Sequence, residues 1–314
     1  MDVRLPIVVG TRGSPLAIAQ TRHVCAQLLA AHSVLAEDGA LVTETITTSG
    51  DRFTDRPLAE IGGKGLFTKE IEEALLDGRI DLAVHSMKDV PTWLPKGLEI
   101  AAIPEREDPR DVLIARDGPG PAVLADLLQG ARVGTGSLRR QAQVLAHRPD
   151  VTIVPMRGNV GTRLRKVADG AADATLLALA GLKRLGAEVE GMAVLEPAEM
   201  LPAVGQGALG IECRTGDARV QDLLQPIVDS ATTAAVRCER ALLEVLDGSC
   251  RMPIAGLAVA DGSGGLRLDA LIARPDGSVC HRVERVGTMA DALSIGRDAG
   301  AALRAAGGPG WFES

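Results

Sequence analysis

Residues 79–92, RIDLAVHSMKDVPT, run an apolar strand into an abrupt polar cluster of His85, Ser86, Lys88 and Asp89 that closes at Pro91. In an open α/β sheet ligands bind beyond the carboxyl ends of strands, so a carboxylate at Asp89 stands where acid–base or electrostatic work is done. Asp, Ser and Pro after a strand also begin helices, and the residue types alone leave a simple cap open. A second pattern suits anions. Ser14 is a good N-cap and Pro15 a good first helical residue, which brings Arg12, a capping hydroxyl and free amides to one point. Thr135, Ser137, Arg139 and Arg140 repeat the arrangement, and Arg157-Gly158-Asn159 with Arg163 makes a third helix start bearing arginines. Each alone is a capped helix; three of one kind imply a ligand with several carboxylates or phosphates.

Two further segments carry reactive or mobile chemistry. Gly248-Ser249-Cys250-Arg251 places one cysteine in a glycine turn beside an arginine, where a thiolate can be alkylated, while the other four cysteines sit inside apolar runs. The segment TSGDRFTDRPLAEIGGKG (48–65), with Asp51, Arg52, Arg56 and Lys64, reads as a lid or as a solvated connector. Gly62-Gly63-Lys64-Gly65 lacks the length and the hydroxyl residue of a P-loop, so nucleotide binding is not expected.

These residues need elements to hold them. RLPIVVG reads as a strand, PLAIAQTRHVCAQLLAA as a helix, LVTETITTSG as a strand and KGLFTKEIEEALLDG as a helix entering the strand IDLAVHS. After the loop at 115–123 the alternation restarts with ARVGTG, SLRRQAQVLAH, VTIVPMRG, NVGTRLRKVADG and DATLLALA. The pattern predicts parallel α/β layers in two units. Both open alike, with Gly10-Thr11-Arg12-Gly13-Ser14 and Gly134-Thr135-Gly136-Ser137 each before a helix. From about residue 217 one helical stretch (220–246) leads to three alternating runs, PIAGLAVA, LRLDALIAR and SVCHRVERVG, parted by turn signals at Asp261-Gly262 and Pro275-Asp276-Gly277. A final helix near 290–306 completes a small α+β domain with a three-stranded antiparallel sheet.

Composition narrows the function classes. With no Tyr, three Phe and two Trp, base-stacking platforms are nearly absent, which argues against single-stranded nucleic acid. No window approaches the ~20 apolar residues of a membrane span, and MDVRLPIVVG lacks the apolar core of a signal peptide, so a cytoplasmic protein is expected. Five scattered cysteines without C-x-x-C spacing remove a disulfide framework and a zinc site, and no metal is expected. The net charge is −7, yet residues 132–166 hold eight basic residues against Asp150 alone. A basic segment in an acidic protein suits a small polyanion in a cleft, with Arg148, Arg165 and Lys166 read as solvated helix-face residues.

HSMKDVPT (85–92), GGKGLFTKEIEEALLDGRIDLAVHS (62–86), REDPRD (106–111), LRRQAQ (138–143), RGNVGTRL (157–164), AGLKRLG (180–186), LPAVGQGALGIECR (201–214) and GSCRMPIAG (248–256) together resemble the porphobilinogen deaminase, or hydroxymethylbilane synthase, family over nearly the whole chain. The resemblance implies a transferase of tetrapyrrole and haem biosynthesis. Such enzymes join four porphobilinogen molecules head to tail into 1-hydroxymethylbilane, releasing ammonia at each addition and the product by hydrolysis. The primer is a dipyrromethane cofactor built from substrate and held by a thioether to the cysteine matching Cys250. Asp89 matches the family's catalytic carboxylate, a buried group that stabilises the cationic azafulvene left when ammonia departs, and then serves as acid and base. Arg12, Ser14, Thr135, Ser137, Arg139, Arg140, Arg157 and Arg163 match residues that hold acetate and propionate side chains, with Lys88 beside the cofactor and Arg184 as a further contact. Asp51, Lys64, Phe67, Ser86, Gln206 and Gly207 fall to the lid and cleft, Phe67 either stacking on the incoming pyrrole or serving the core.

The implied fold is two periplasmic-binding-protein-like α/β domains flanking a cleft: 1–107 with 206–225 as the first, 108–205 as the second, and 226–314 as a third that presents Cys250. A monomer without nucleic-acid or membrane partners is the family expectation. Two departures, Gly136 where some members carry a hydroxyl residue and Glu60 where some carry lysine, bear on affinity and lid rather than on Asp89 or Cys250. The competing reading is a non-catalytic binding protein for a small polycarboxylate, which would need neither Asp89 nor a loop cysteine.

Overall fold

The computed structural model describes residues 5–52, 67–116, 122–246, 252–308 and 311. Lys64, Glu60 and Cys250 lie outside the described residues, and Asp51 is described only as part of a short helical backbone. The chain divides into two compact units, one holding 5–52, 67–107 and 208–233, the other the remaining described residues from 108 to 207 and from 234 onward.

In the first unit β1 (Ile7–Arg12), β2 (Leu41–Ile46), β3 (Leu82–Ser86), β4 (Leu98–Ala102) and β10 (Leu209–Arg214) form one sheet in the order β2-β1-β3-β10-β4. β1 pairs in parallel with β2 and β3, whereas β10 runs antiparallel to β3 and β4. α1 (Pro15–Ala31) begins where the Ser14 side chain accepts the Ala17 amide at 3.2 Å and Pro15 takes the first helical position. It lays Val24 and Leu28, both fully buried, on Ile7, Val9 and Ile211, while α3 (Lys69–Leu76), which follows the short α2 (Ser49–Arg52), covers the other face with Ile71 and Leu75. Each such side chain contributes about 2 kcal/mol relative to exposure.

The second unit repeats the plan. β5 (Asp111–Ala115), β6 (Arg132–Gly134), β7 (Thr152–Val154), β8 (Ala174–Ala178) and β9 (Met192–Val194) stack as β7-β6-β8-β5-β9, with β6 parallel to β7 and β8 and β5 antiparallel to β8 and β9. α4 (Leu138–His147) and α5 (Val160–Ala168) follow β6 and β7, and α6 (Leu179–Arg184) follows β8. The two sheets are the same arrangement with one strand of each supplied from elsewhere in the chain: β5 enters the second sheet before its parallel strands, and β10 joins the first sheet after the whole second sheet has been built. The sheets are therefore mixed: the parallel strands expected from the alternation are present, and these antiparallel strands join them. Sequence reading passed over β4, β5, β9 and β10. β5 opens on a buried Asp and β10 holds Gly210 and a buried Glu, so neither shows a plain apolar run.

The helical stretch expected over 220–246 is two helices, α7 (Ala218–Leu224) and α8 (Ser230–Val245). Pro226 has no amide to continue the first, and the Asp229 carboxylate accepts the Thr232 amide at 2.7 Å to start the second. β11 (Ile254–Ala260), β12 (Gly265–Ala273) and β13 (Cys280–Thr288) form the antiparallel sheet as expected. Period-two alternation sends Leu268, Ala270 and Ile272 into a core with α8, α9 (Ala292–Gly307) and Trp311, and turns Leu271 and Ala273 toward Ala142 of α4.

Candidate active site

In the first unit, β1 and β3 are sheet neighbours in parallel register, with Val9 beside Leu82 and Gly10 beside Ala83, so their carboxyl ends open at one place. A pocket there is lined by Arg12, Ser14, Gln20, Phe67, Thr68, His85, Ser86, Lys88 and Asp89. The end of β1 is tied to α1 by the buried Thr21 hydroxyl, which donates to Thr11 Oγ1 at 2.7 Å. Beyond Ser86 the chain makes a single 3₁₀ turn, Met87–Asp89. Met87 is buried and its amide donates to the Ala208 carbonyl at 3.0 Å, so that turn is pinned by its first residue. Lys88 and Asp89 are consequently exposed, which corrects the expectation of a buried carboxylate: the apolar Met87 takes the inward position and Asp89 stands at the pocket rim. The Arg12 guanidinium lies over the Phe67 ring.

Behind the pocket three titratable groups from three elements converge. His85 Nε2 of β3 is 3.0 Å from Glu212 Oε2 of β10, with both side chains almost completely buried. Glu72 of α3 is buried beside them; burial pushes its carboxyl up, and the charge of Glu212 adds to the shift. Glu72 and Glu212 were not singled out from sequence. The available signal was an acid within the apolar run LGIEC, whose burial a charge-averaged reading does not register.

The second unit shows where the basic segment spends its charge. Asp111, fully buried at the start of β5, accepts Arg139 Nη1 on Oδ2 at 2.7 Å, and on Oδ1 accepts Arg140 Nη2 at 2.8 Å and Nε at 3.2 Å. Arg139 also donates to the Leu201 carbonyl and Arg140 to that of Leu176. Burial would raise the Asp111 carboxyl, but the two guanidinium charges outweigh it and hold it well below the usual range. Arg148, read as solvated, instead binds Asp150 at 2.6 Å and the Leu127 carbonyl at 2.7 Å, and Lys166 donates to the Arg157 carbonyl at 3.1 Å. Arg165 is exposed as expected.

Ser137 caps α4 and Asn159 caps α5, while Thr135 Oγ1 accepts the Ser137 amide at 3.1 Å. A side chain at Gly136 would bring its Cβ within 3.1 Å of the Met156 carbonyl, so this chain has little room there for a hydroxyl side chain. Arg163, whose Nε donates to the Gly158 carbonyl at 2.8 Å, is pushed down to about 10 by burial and by the like charges of Arg140 and Arg157. A guanidinium in that field favours an anionic neighbour. Arg184 donates to the Gly207 carbonyl at 2.7 Å, and Gln206 Nε2 donates to the Pro109 carbonyl at 2.6 Å and to Asp111 Oδ1 at 2.9 Å. Each unit thus gathers its own expected residues: Arg12, Ser14, Phe67, Ser86, Lys88 and Asp89 in the first; Thr135, Ser137, Arg139, Arg140, Arg157, Arg163, Arg184, Gln206 and Gly207 in the second.

Residues 7–222 match the family described as porphobilinogen deaminase, dipyromethane cofactor binding domain, and residues 233–305 match the porphobilinogen deaminase C-terminal domain. The chain is similar to a chloroplastic porphobilinogen deaminase of Oryza sativa subsp. japonica, 51% identical over 310 residues that cover 98% of this chain and 86% of the relative. It is also similar to the porphobilinogen deaminase of Sorangium cellulosum, 53% identical over 302 residues, 95% of this chain and 98% of the relative. Among solved structures it resembles a periplasmic aliphatic sulphonate-binding protein of Escherichia coli, 17% identical, TM-score 0.41, covering 76% of this chain and 70% of the other.

Proposed function

Since this chain belongs to the porphobilinogen deaminase family, we propose that Asp89 and the arginines of the second unit carry the family's reaction here. The protein is a transferase, a hydroxymethylbilane synthase, that condenses four porphobilinogen molecules on a dipyrromethane cofactor. The observation that carries the residue assignment is the pocket at the β1 and β3 ends, which brings Asp89, Lys88, Arg12 and Ser14 together.

The second unit fits a polycarboxylate cofactor by its own chemistry: Arg163 sits among like charges, and the buried Arg139 Nε has no hydrogen-bond partner among the described residues. Arg157, Arg163, Arg184, Thr135, Ser137 and the capped starts of α4 and α5 receive acetate and propionate groups, while Arg139 and Arg140 act chiefly through the field left over after Asp111 is satisfied. When bound, the dipyrromethane supplies the free pyrrole α-carbon to which each new unit is joined, and Cys250 is its attachment point.

Asp89 faces the incoming porphobilinogen. As the C–N bond of the aminomethyl group breaks and ammonia leaves, its carboxylate accepts the pyrrole N–H and stabilises the positive charge that develops. The same carboxylate would take up the proton that each condensation releases. Arg12, Lys88 and Ser14 hold substrate carboxylates at the mouth, and Phe67 orients Arg12. Ser86, Gln206 and Gly207 shape the site. The working arrangement is a cytoplasmic monomer with domains at 1–107 plus 206–225, 108–205 and 226–314, acting on a small molecule without nucleic-acid or membrane partners. No helix among the described residues is long and apolar enough to cross a membrane.

Intact mass under denaturing conditions tests the assignment, because a thioether survives unfolding and a bound ligand does not. The purified protein, or apoprotein incubated with porphobilinogen, is expected to carry the mass of two linked pyrroles, absent from Cys250→Ser. No adduct under either condition would leave a binding protein as the better reading.

A further inference from the structure

The carboxylate that holds the arginine pair also holds the place where the chain passes between its two units. Asp111 Oδ1 takes Arg140 through two nitrogens and Oδ2 takes Arg139, so each guanidinium is fixed by a direct contact and by a backbone carbonyl. The chain leaves the first unit at 107–108 and returns to it at 207–208. Gln206, next to the return, reaches back to the Pro109 carbonyl and to Asp111 itself, both next to the departure. One buried carboxylate therefore joins both connecting segments to the helix that carries the arginines.

We infer that Asp111 is a positioning residue for the reaction: it locks Arg139 and Arg140 into a single arrangement and couples that arrangement to the Gln206 clasp. This rests on the carboxylate-binding role proposed above for the second unit. Two buried guanidinium groups against one carboxylate leave a net positive charge, and a buried charge is tolerated only when its partners are held in good geometry. Arg163 senses that excess through Arg140, so a displaced Arg140 would alter the field a ligand carboxylate meets. Asp111 itself needs no contact with the ligand.

The test compares steady-state KM and kcat, cofactor content by intact mass and thermal midpoint for the natural chain, Asp111→Asn, Arg139→Gln, the double variant and Gln206→Ala. Asp111→Asn is expected to raise KM for porphobilinogen about tenfold or to abolish cofactor uptake. The double variant restores the natural charge balance and hence the fold, so it separates positioning from neutralisation. Its KM is expected to exceed that of Arg139→Gln by about fivefold, because Arg140 still lacks its anchor. Gln206→Ala is expected to raise KM about threefold with the thermal midpoint nearly kept.

A double variant equal to Arg139→Gln, or an Asp111→Asn protein within about threefold of the natural KM, would reduce Asp111 to a counter-charge and overturn the inference. An unchanged KM in Gln206→Ala would remove the clasp from it. A folded double variant that takes up no cofactor, beside an Arg139→Gln protein that does, supports it. Failure of the natural chain to make hydroxymethylbilane would instead refute the proposed function.

Discussion

The Arg12 guanidinium carbon lies 4.1 Å from the centre of the Phe67 ring. A cation held over an aromatic face gains about 0.5–1 kcal/mol at a half-exposed site, and the ring also limits where the guanidinium can swing. If Arg12 holds a substrate carboxylate as proposed, Phe67 acts on the substrate through Arg12. Phe67→Leu keeps apolar volume and removes the ring face, and it is expected to raise KM for porphobilinogen about two- to fivefold with little change in kcat. Steady-state kinetics with Phe67→Trp as the retained-face control checks it; equal KM values for the leucine and tryptophan variants would refute the stacking role.

Exposure makes Asp89 a clean target. Its side chain is exposed, so Asp89→Asn is expected to shift the thermal midpoint by no more than about 2 °C, as for other surface substitutions. On its proposed role, the same change removes the charge that stabilises the developing cation and is expected to lower kcat at least about 100-fold. Single-turnover rates on cofactor-loaded protein measure this directly, and a variant within about tenfold of the natural rate would move the chemistry to another group.

The four described cysteines divide by burial. Burial pushes the Cys213 and Cys238 thiols up to about 12 and raises that of Cys25, while Cys280 is exposed at the start of β13 with its thiol also raised by partial desolvation. Iodoacetamide at about pH 8 is therefore expected to label Cys280, slowly, before the other three. After denaturation, cofactor-loaded protein should take four labels out of five cysteines, because a thioether at Cys250 is not alkylated. Five labels on fully loaded protein, counted by mass spectrometry, would contradict attachment at Cys250.

Local chemistry was legible in the sequence, and long-range pairing was not. Ser14-Pro15 marked the start of α1, and Pro275-Asp276-Gly277 marked a real hairpin turn, because caps and turns are decided by neighbouring residues. Nothing local to Arg139 and Arg140 reveals that Asp111, 28 and 29 positions upstream, pairs with both. Within REDPRD that aspartate looks like one more loop charge, and only the strand pairing of β5 with β8 carries it inside. Burial of Asp89 was implied by the family resemblance alone: HSMKDV does not say which of its residues faces inward, and the core takes Met87 and Val90.

Two buried acids should tilt stability in opposite directions with pH. Glu72 has its folded value raised above 4.5, so it binds its proton more tightly when folded; its contribution is full below that value and is lost as pH rises through the folded one. Asp111 has its folded value depressed below 3.8, so its contribution is full above 3.8 and is lost as pH falls. Glu72→Gln removes the first effect alone. It is expected to melt above the natural protein at about pH 7 and alongside it at about pH 4. Differential scanning calorimetry at the two values decides, and a variant less stable at neutral pH would mean that ionised Glu72 is needed beside His85.

The turn joining β12 to β13 reaches the helix that carries the arginines. Gly277 has φ +72°, and a Cβ there would come within 2.4 Å of the Ala146 amide nitrogen and 2.7 Å of the Ala142 carbonyl oxygen, both backbone atoms of α4. Gln141 of the same helix donates to the Pro275 carbonyl at 3.1 Å. Helix backbone cannot yield locally as a flexible side chain does, so Gly277→Ala must shift either the turn or α4. Gly262, in the β11–β12 turn, has a similar φ of +78° but nothing within 4 Å of the added carbon. Gly262→Ala thus carries only left-handed backbone strain, about 1 kcal/mol, and Gly277→Ala the same strain plus the clash, about 3 kcal/mol in total. Urea unfolding of the two variants isolates the difference, and KM measured alongside is expected to rise for Gly277→Ala alone, because α4 holds Arg139 and Arg140. Equal losses of stability in both would mean that the turn moves aside freely and does not brace the arginine helix.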